Sequence, residues 1–347
     1  MTQLVLFLKT LLLDLDRKVL VPIFGRSRRL ASLYYGLVST KFGREHKAVL
    51  QGRRRYYQSL SDPSSTSFLL RRNVHRLEKG LIMRPRREVF ATAYIEETVN
   101  QYVVCKRLHA ATESELQWAH DVLSDYFDCV GTHDTVSRAR TAFKQCEGEP
   151  QRYSAWVPYE SKDRGSLAVD YDSFMALCRR RRSVRWYDGR PVPRDLIEQA
   201  VAAASQAPSA CNRQPFRFSI FDKPEDAAKV GAITDGTAGF SGNFPCLIVV
   251  VGDLSAYPFE RDRHLIYVDA SLASMQLMLA FETLGLSSCP INWPDIEVME
   301  RGMADFLNLD YHERPIMLIS VGYPDESGSI PFSQKKTNDT MIRWEAL

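Results

Sequence analysis

Three guanidiniums and one hydroxyl stand within five residues of the sequence, in the segment Arg181-Arg182-Ser183-Val184-Arg185. Guanidiniums hold phosphate groups through paired, charge-assisted hydrogen bonds, and a hydroxyl adds a further donor. The preceding Arg179 and Arg180 are better explained as a solvated helix end that offsets the helix dipole. The segment therefore predicts that an anion such as a phosphate binds at residues 181–185.

Three other segments combine small, amide or basic side chains. The second segment is the loop Pro208-Ser209-Ala210-Cys211-Asn212-Arg213-Gln214-Pro215-Phe216. It offers amides at Asn212 and Gln214, although an ordinary turn has a similar composition. Cys211 is interpreted as a small filler, because no second cysteine lies near it in sequence. The third segment is Gly285-Leu286-Ser287-Ser288-Cys289-Pro290-Ile291-Asn292-Trp293. The fourth is Val321-Gly322-Tyr323-Pro324 with the later Lys335 and Lys336.

In this order, over residues 168–347, the four segments resemble the nitroreductase family of FMN-dependent oxidoreductases. The resemblance implies that the FMN phosphate and ring edge are contacted by Arg181, Ser183 and Arg185, with Arg182 close by and Lys335 and Lys336 closing from the C-terminal side. It also implies a homodimer with FMN at the interface. One subunit would then reach its partner's flavin through Pro208, Ser209, Ala210, Asn212 and Gln214.

By the same resemblance, residues 285–293 form the loop that faces the central flavin ring, with Pro290, Ile291, Asn292 and Trp293 running across it. A backbone N–H directed at flavin N5 stabilises the reduced ring. Pro294 has no N–H, so the candidate donors are Asn292 and Trp293. Trp293 could instead line a substrate pocket or be a core tryptophan, and no side chain is assigned a catalytic role.

The pattern of apolar residues changes near residue 165. Residues 1–165 predict a mostly α-helical N-terminal extension, with amphipathic helices near 95–103 and 116–127 and a polar boundary at 146–165. Residues 166–347 alternate helices and strands. Here the resemblance implies an α+β fold, a central mainly antiparallel sheet flanked by helices.

Several elements of the second domain are predicted individually. Strands are expected at 216–221, 246–251 and 315–321, and helices are expected to end near Arg182 and to begin near Pro193. A further helix, 272–284, has Asp269 and Ser271 as candidate caps and stops at Gly285. It is apolar nearly all round, which predicts burial in the core or in a subunit interface.

One polar helix face in the N-terminal half suits an anionic substrate. His75 and Lys79 are i,i+4 neighbours on a helix that we expect to end at a Gly80 cap, and they are candidate substrate contacts. The alternative is a solvent-exposed face. Because all four FMN-type segments follow residue 168, we expect the helical half to affect substrate choice more than flavin retention.

Composition limits the remaining functions. The 347 residues are 45% hydrophobic and 25% charged with a net charge of +3, as expected for a globular protein, and no nucleic-acid motif accompanies the basic clusters. Nucleic acid is therefore not an expected partner. The seven cysteines lack metal-ligand spacing, so we expect no metal site and a reducing cytoplasm. The apolar start, 4–13, is too short to span a bilayer, which leaves a packed helix or peripheral membrane contact aided by Arg26, Arg28 and Arg29.

The resemblance thus implies an FMN-dependent oxidoreductase that exchanges hydride through flavin N5 with a small-molecule substrate. NADH or NADPH is the expected electron donor, bound transiently because no GxGxxG motif follows a strand. The alternative is a non-catalytic flavin-binding or membrane-associated partner protein.

Overall fold

The computed structural model describes residues 2–61, 66–146 and 156–345. The chain separates into two compact units, Met1–Leu50 and Gln51–Leu347. The division predicted between residues 165 and 166 falls within the second unit and stays a prediction. Residues 147–155, which form much of the predicted boundary, lie outside the described residues.

The first unit is helical. It contains α1 (Thr2–Leu15), α2 (Val21–Phe24) and α3 (Arg28–Leu33), with π-helical turns at Asp16–Leu20 and Tyr34–Val38, and α4 (Gly43–Ser61) begins in it. The Tyr34 hydroxyl donates to Asp16 Oδ1, and the rings of Tyr34, Tyr35 and Phe42 contact one another in turn. On α1, eight apolar side chains between Val5 and Leu15 are 47–68% exposed.

Four helices of the second unit share one hydrophobic core. They are α5 (Phe68–Leu81), α6 (Ile95–Leu108), α7 (Glu113–Cys129) and α8 (Asp134–Cys146). The predicted helices near 95–103 and 116–127 are confirmed. Gly80 does not cap α5, which continues to Leu81. A Cβ at Gly80 would lie 2.3 Å from Phe90 Cε2, so this glycine serves the close approach of an aromatic ring.

The sheet contains four antiparallel strands in the order β1-β2-β4-β3. Their bounds are β1 (Phe216–Phe221), β2 (Cys246–Asp253), β3 (Ser287–Asn292) and β4 (Glu313–Gly322). The α+β fold and the three predicted strands are confirmed. The expectation of a loop at 285–293 is wrong for 287–292, which form edge strand β3. Pro290 is tolerated there because an edge strand needs hydrogen bonds on one side only.

The other helices of the second unit are α9 (Tyr171–Arg180), α10 (Arg194–Ala204), α11 (Pro224–Gly231), α12 (Leu265–Thr283) and α13 (Glu297–Leu307), with the short α14 (Asn338–Met341) near the C-terminus. Both α9 and α10 pack against α12. Side chains of α11 and α13 pack with Leu247, Val249 and Leu318 on one face. On the other face α12 approaches closely, since a Cβ at Gly252 would lie 2.9 Å from Ile266 Cβ.

Helix α12 begins earlier than predicted. Asp269 and Ser271 therefore lie within it and are not its caps, whereas Gly285, with φ of 77°, follows its end as expected. By length and composition alone, Glu260–Thr283 is the one helix of the described chain that could cross a membrane, and 44% of its apolar window is buried. Its packing on the sheet is that of a core helix.

Candidate functional site

The segment 181–188 is fixed along the edge of the sheet. The Val184 N–H donates to the Ser288 carbonyl at 3.1 Å, and the Asp188 N–H donates to the Tyr323 carbonyl at 3.1 Å. Tyr187 is the anchor between these points, since its hydroxyl lies 2.8 Å from Ser320 Oγ and donates to the Val184 carbonyl at 2.9 Å. Burial raises the pKa of Tyr187, which keeps the phenol neutral.

The three predicted phosphate contacts, Arg181, Ser183 and Arg185, converge on Cys289 of β3. Burial raises the pKa of the Cys289 thiol, and Arg185, a hydrogen bond with Ser183, and Arg181 partly oppose that shift. Arg181 and Arg185 are half-buried, as is Arg182. Within the described part of the chain, Arg181 and Arg185 form no salt bridge, although Arg181 is one of the two charges that lower the pKa of Glu282. Two guanidiniums and a hydroxyl thus stand together without an ion-pair partner of their own.

Arg180 differs from this pair. Its Nε lies 3.3 Å from Oε2 of Glu282, whose side chain is 2% exposed. Burial raises the pKa of Glu282, and Arg180 is the first of the charges that oppose the rise. A protein carboxylate thus already holds Arg180, while Arg179 is exposed.

Strand β3 distinguishes the two candidate backbone donors. In an antiparallel strand, residues two apart direct their backbone groups to the same side. The Ser288 carbonyl faces Val184, away from β4, so the N–H of Asn292 faces that same open edge. Trp293 is a core tryptophan: it is 7% exposed and its Nε1 donates to Glu300 Oε1 at 2.8 Å. Ile291 is buried in the same core, and Pro290 is half-buried.

The loop 208–214 has an uncommon backbone. Cys211, Asn212 and Gln214 have φ of 54°, 53° and 50°, the left-handed region that non-glycine residues adopt at a cost of about 1–3 kcal/mol each. Asp269 holds the loop by accepting the Ala210 N–H at 3.0 Å. Burial raises the pKa of Asp269, opposed by Ala210, Tyr257 and Arg213.

A side chain that the sequence analysis missed holds the same loop. Arg71 of α5 donates from Nε to the Asn212 carbonyl at 2.8 Å and from Nη2 to Gln214 Oε1 at 3.0 Å. Its Nη1 lies 2.9 Å from Glu115 Oε1 in a largely buried salt bridge. No sequence pattern signals these contacts, because Arg71 precedes Asn212 by 141 residues and Gln214 by 143.

The predicted loop contacts are therefore not equally available. Gln214 Nε2 donates to the Ser205 carbonyl at 2.7 Å, so its amide is bound at both ends. Ser209 Oγ accepts the Gln214 N–H at 3.1 Å, and the Ala210 N–H is taken by Asp269. Pro208 is exposed. Of the two predicted amides, only that of Asn212 forms no side-chain hydrogen bond with the described residues.

Helix α12 separates the loop from the cationic segment. Asp269, near one end, binds the loop, and Glu282, near the other end, binds Arg180. Thirteen residues of helix correspond to about 20 Å along its axis. Among the described residues, no hydrogen bond or salt bridge joins the loop to Arg181–Arg185 within one chain.

The remaining predicted contacts lie in separate parts of the structure. Lys335 and Lys336 lie on an exposed C-terminal segment, and no described hydrogen bond joins either side chain to Arg181 or Arg185. His75 Nδ1 lies 3.1 Å from Glu78 Oε2 and is directed to its own helix. Lys79 lines a cavity together with Arg72 and Arg76. Where the structure is described, no cluster of three or more His, Cys, Asp or Glu side chains could hold a metal ion.

Comparison with known proteins gives the class. The model of the Nitroreductase family matches residues 178–238 and 228–323. A putative NADH dehydrogenase/NAD(P)H nitroreductase of Methanothermobacter thermautotrophicus is 30% identical over 147 residues, which cover 42% of this chain and 75% of that protein. The chain belongs to the nitroreductase family, and it is an oxidoreductase-type enzyme.

Other relatives have different names. Iodotyrosine deiodinase of Haliscomenobacter hydrossis is 26% identical over 215 residues, covering 52% of this chain and 94% of that protein. Among solved structures, a putative NADH oxidase of Clostridium acetobutylicum has 27% identity and a TM-score of 0.44, covering 49% of this chain and 99% of that one.

Proposed function

We propose that the protein is an FMN-dependent oxidoreductase that takes electrons from NADH or NADPH and passes them to a small-molecule acceptor. The position of Arg181, Ser183 and Arg185 around Cys289, with neither guanidinium in a salt bridge among the described residues, carries this proposal. Two guanidiniums and a hydroxyl fit a phosphomonoester, which has about two negative charges. Bound FMN would supply hydride transfer at N5.

The protein's own groups bind and orient in this proposal. Arg181 and Arg185 hold the phosphate, and Tyr187 fixes the segment against β4. The Asn292 N–H, on the open edge of β3, is the preferred donor to the flavin ring. Trp293 is not, because it follows the end of β3 and its ring is buried in the core.

Two copies of the chain are needed for a complete site in this proposal. Within one chain, the loop 208–214 and the cationic segment are held at opposite ends of α12. The loop of one subunit can approach the flavin held by the other if a two-fold axis passes near α12. That helix has exposed apolar side chains at Val268, Leu272 and Met275.

The proposal is tested by purifying the full chain and identifying its cofactor. We expect an oxidised flavin spectrum and, after denaturation, about one FMN per chain on chromatography against FMN, FAD and riboflavin standards. Absence of flavin after reconstitution with FMN would contradict the proposal.

A second assay separates an enzyme from a non-catalytic flavin protein. NADH and NADPH oxidation is followed with quinone, nitroaromatic and iodotyrosine acceptors. Turnover with at least one acceptor is expected, and bound FMN that neither nucleotide reduces would favour the non-catalytic alternative.

A further inference from the structure

A cavity of about 360 Å³ lies between α5, the loop 208–214 and the start of α12. Its lining contains five cationic side chains and a single acidic one, Asp262. The cations are Arg72, Arg76, Lys79, Arg213 and Arg261. Arg72, Arg76 and Lys79 come from successive turns of one face of α5, so the helix directs three positive charges into one space.

The positive charge of the cavity is only partly compensated by the protein, through Asp262 in the lining and Asp269, which interacts with Arg213. Arg72 Nη1 donates to the Tyr56 hydroxyl at 3.1 Å, and Arg76 lies 3.6 Å from the Tyr94 ring centroid, so both have neutral partners. Asp262 is 3.9 Å from Arg261 Nε. For the residues that the structure describes, Arg72, Arg76, Lys79 and Arg213 form no salt bridge.

Arg213 shows that the cavity is a built site and not a solvated face. Its side chain lies 4.9 Å from the Tyr257 ring, and Nη1 donates to the Ala210 carbonyl at 3.2 Å. The residue is 7% exposed, and its buried Nε has no hydrogen-bond partner in the described chain. An unpaired charged donor is costly to bury, and the negative charge of an anion bound beside the guanidinium offsets part of that cost.

We propose that this cavity binds the phosphate group of a small-molecule ligand. Five cations around one space repel each other more than the nearby Asp262 and Asp269 offset, and a phosphate or diphosphate supplies negative charge with several acceptors. The site is distinct from Arg181–Arg185, because it lies where α12 begins and that segment lies where α12 ends. The proposal that this cavity binds phosphate does not depend on the proposal that the protein binds FMN.

The position of the cavity beside the loop suggests which ligands bring the phosphate. Ala210 and Cys211 of the loop line it. If the loop reaches the partner's flavin, which rests on the proposed function, the cavity is next to the reacting ring. The phosphate then belongs to the acceptor substrate or to the nicotinamide dinucleotide.

The test is calorimetric titration of the full FMN-loaded chain with inorganic pyrophosphate. Lys79→Ala removes an exposed cation without disturbing the core and should weaken pyrophosphate binding by about tenfold; Lys79→Glu should weaken it more. Lys229→Ala is the matched control, an exposed lysine beside Asp226 on α11, and should bind as the wild type does. No binding, or binding that Lys79→Glu leaves unchanged, would overturn the proposal.

A parallel titration with NADP⁺ distinguishes the sources of the phosphate. Loss of NADP⁺ affinity in Lys79→Glu assigns the cavity to the dinucleotide, and an unchanged affinity assigns it to a phosphorylated acceptor. FMN content is measured in every preparation. If the protein binds pyrophosphate but holds no FMN, the phosphate site is supported and the proposed function is rejected. If it holds FMN but does not bind pyrophosphate, the proposed function is supported and the phosphate site is rejected.

Discussion

Arg71 binds three acceptors with one guanidinium: the Asn212 carbonyl, Gln214 Oε1 and Glu115 Oε1. The Arg71 and Glu115 side chains are 14% and 17% exposed. Burial alone would raise the pKa of Glu115, but hydrogen bonds from Thr112, Arg71 and Ser67 outweigh it and lower that pKa. The carboxylate is therefore kept charged inside the protein, and Arg71 is needed to compensate it.

Replacing Arg71 by Ala should lower the free energy of unfolding by about 3 kcal/mol, because it leaves Glu115 charged, largely buried and without its cation. Urea denaturation measures the change. Arg138→Ala is the control, since Arg138 and Glu96 form a surface pair with side chains 63% and 47% exposed, which should contribute little to stability. Equal losses in the two variants would refute the role of Arg71.

The raised pKa of Asp269 predicts how the stability of the folded protein depends on pH. Its folded pKa is raised by burial, above the unfolded value of about 3.9. The folded state then retains a proton that the unfolded state has lost, so this group's contribution to stability falls as pH rises from about 4 through the folded pKa. Asp269→Asn removes that contribution. Its melting temperature relative to wild type should therefore be higher at pH 7 than at pH 4.

Asp222→Asn is a control of opposite sign. A hydrogen bond from Arg194 lowers the pKa of Asp222 below its usual value. Its stabilising contribution is present above the unfolded pKa of about 3.9 and is lost as pH falls further, through the folded pKa. The melting temperature of Asp222→Asn relative to wild type should therefore be lower at pH 7 than at about pH 3. The same pH trend in both variants would contradict the assignment for Asp269.

At the scale of elements, α12 has two apolar faces. Ile266, Ala273 and Leu277 are buried against the rest of the chain, whereas Val268, Leu272 and Met275 are 40–50% exposed. The all-round apolar pattern in the sequence indicated this helix, but its start was misplaced because Asp269 resembles a cap. The Asp269 carboxylate instead accepts the Ala210 N–H of the loop 208–214, a contact between residues distant in sequence.

Leu272→Arg should convert a dimer into a monomer and release FMN, because the charge would be placed in the proposed interface without a partner. Sedimentation velocity at micromolar concentration gives the mass, and absorbance gives the FMN content. Val298→Arg on α13, where Val298 is 67% exposed, should remain dimeric. A wild-type monomer with bound FMN would contradict the shared site.

The strands show which elements of the fold the sequence predicts and which it does not. Continuous apolar runs rich in β-branched residues predicted β2 and β4, and alternation predicted β1. Strand β3 was missed because Ser287-Ser288-Cys289-Pro290 has neither pattern. Its partner across the ladder, β4, is what makes it a strand. Of the site, the local cluster 181–185 could be predicted, whereas the clamp by Arg71 could not.

At the scale of the whole molecule, the first unit is the part least explained by the family. The apolar side chains of α1 are exposed, and Arg17, Arg26, Arg28 and Arg29 follow in sequence. Exposed apolar side chains followed by arginines favour binding of this helix at the interface of an anionic membrane. We expect the full chain to sediment with vesicles containing phosphatidylserine more than with neutral vesicles.

Leu12→Glu should reduce that sedimentation, since Leu12 is 64% exposed and a charge on an apolar face opposes insertion. Leu37→Glu, a change at an 82% exposed leucine outside α1, is the control. If wild type binds neither kind of vesicle, peripheral attachment is excluded and the cytoplasmic prediction is favoured.

The most direct test of the account is the FMN content of the Arg181→Ala/Arg185→Ala variant. Each lost charge-assisted hydrogen bond should weaken FMN binding by about 1.5–3 kcal/mol, so the double variant should be purified largely without flavin. Arg179→Ala removes an exposed arginine from the same helix end and should retain about one FMN per chain. Full FMN content in the double variant, with the cofactor confirmed by chromatography, would contradict the assignment of the phosphate site.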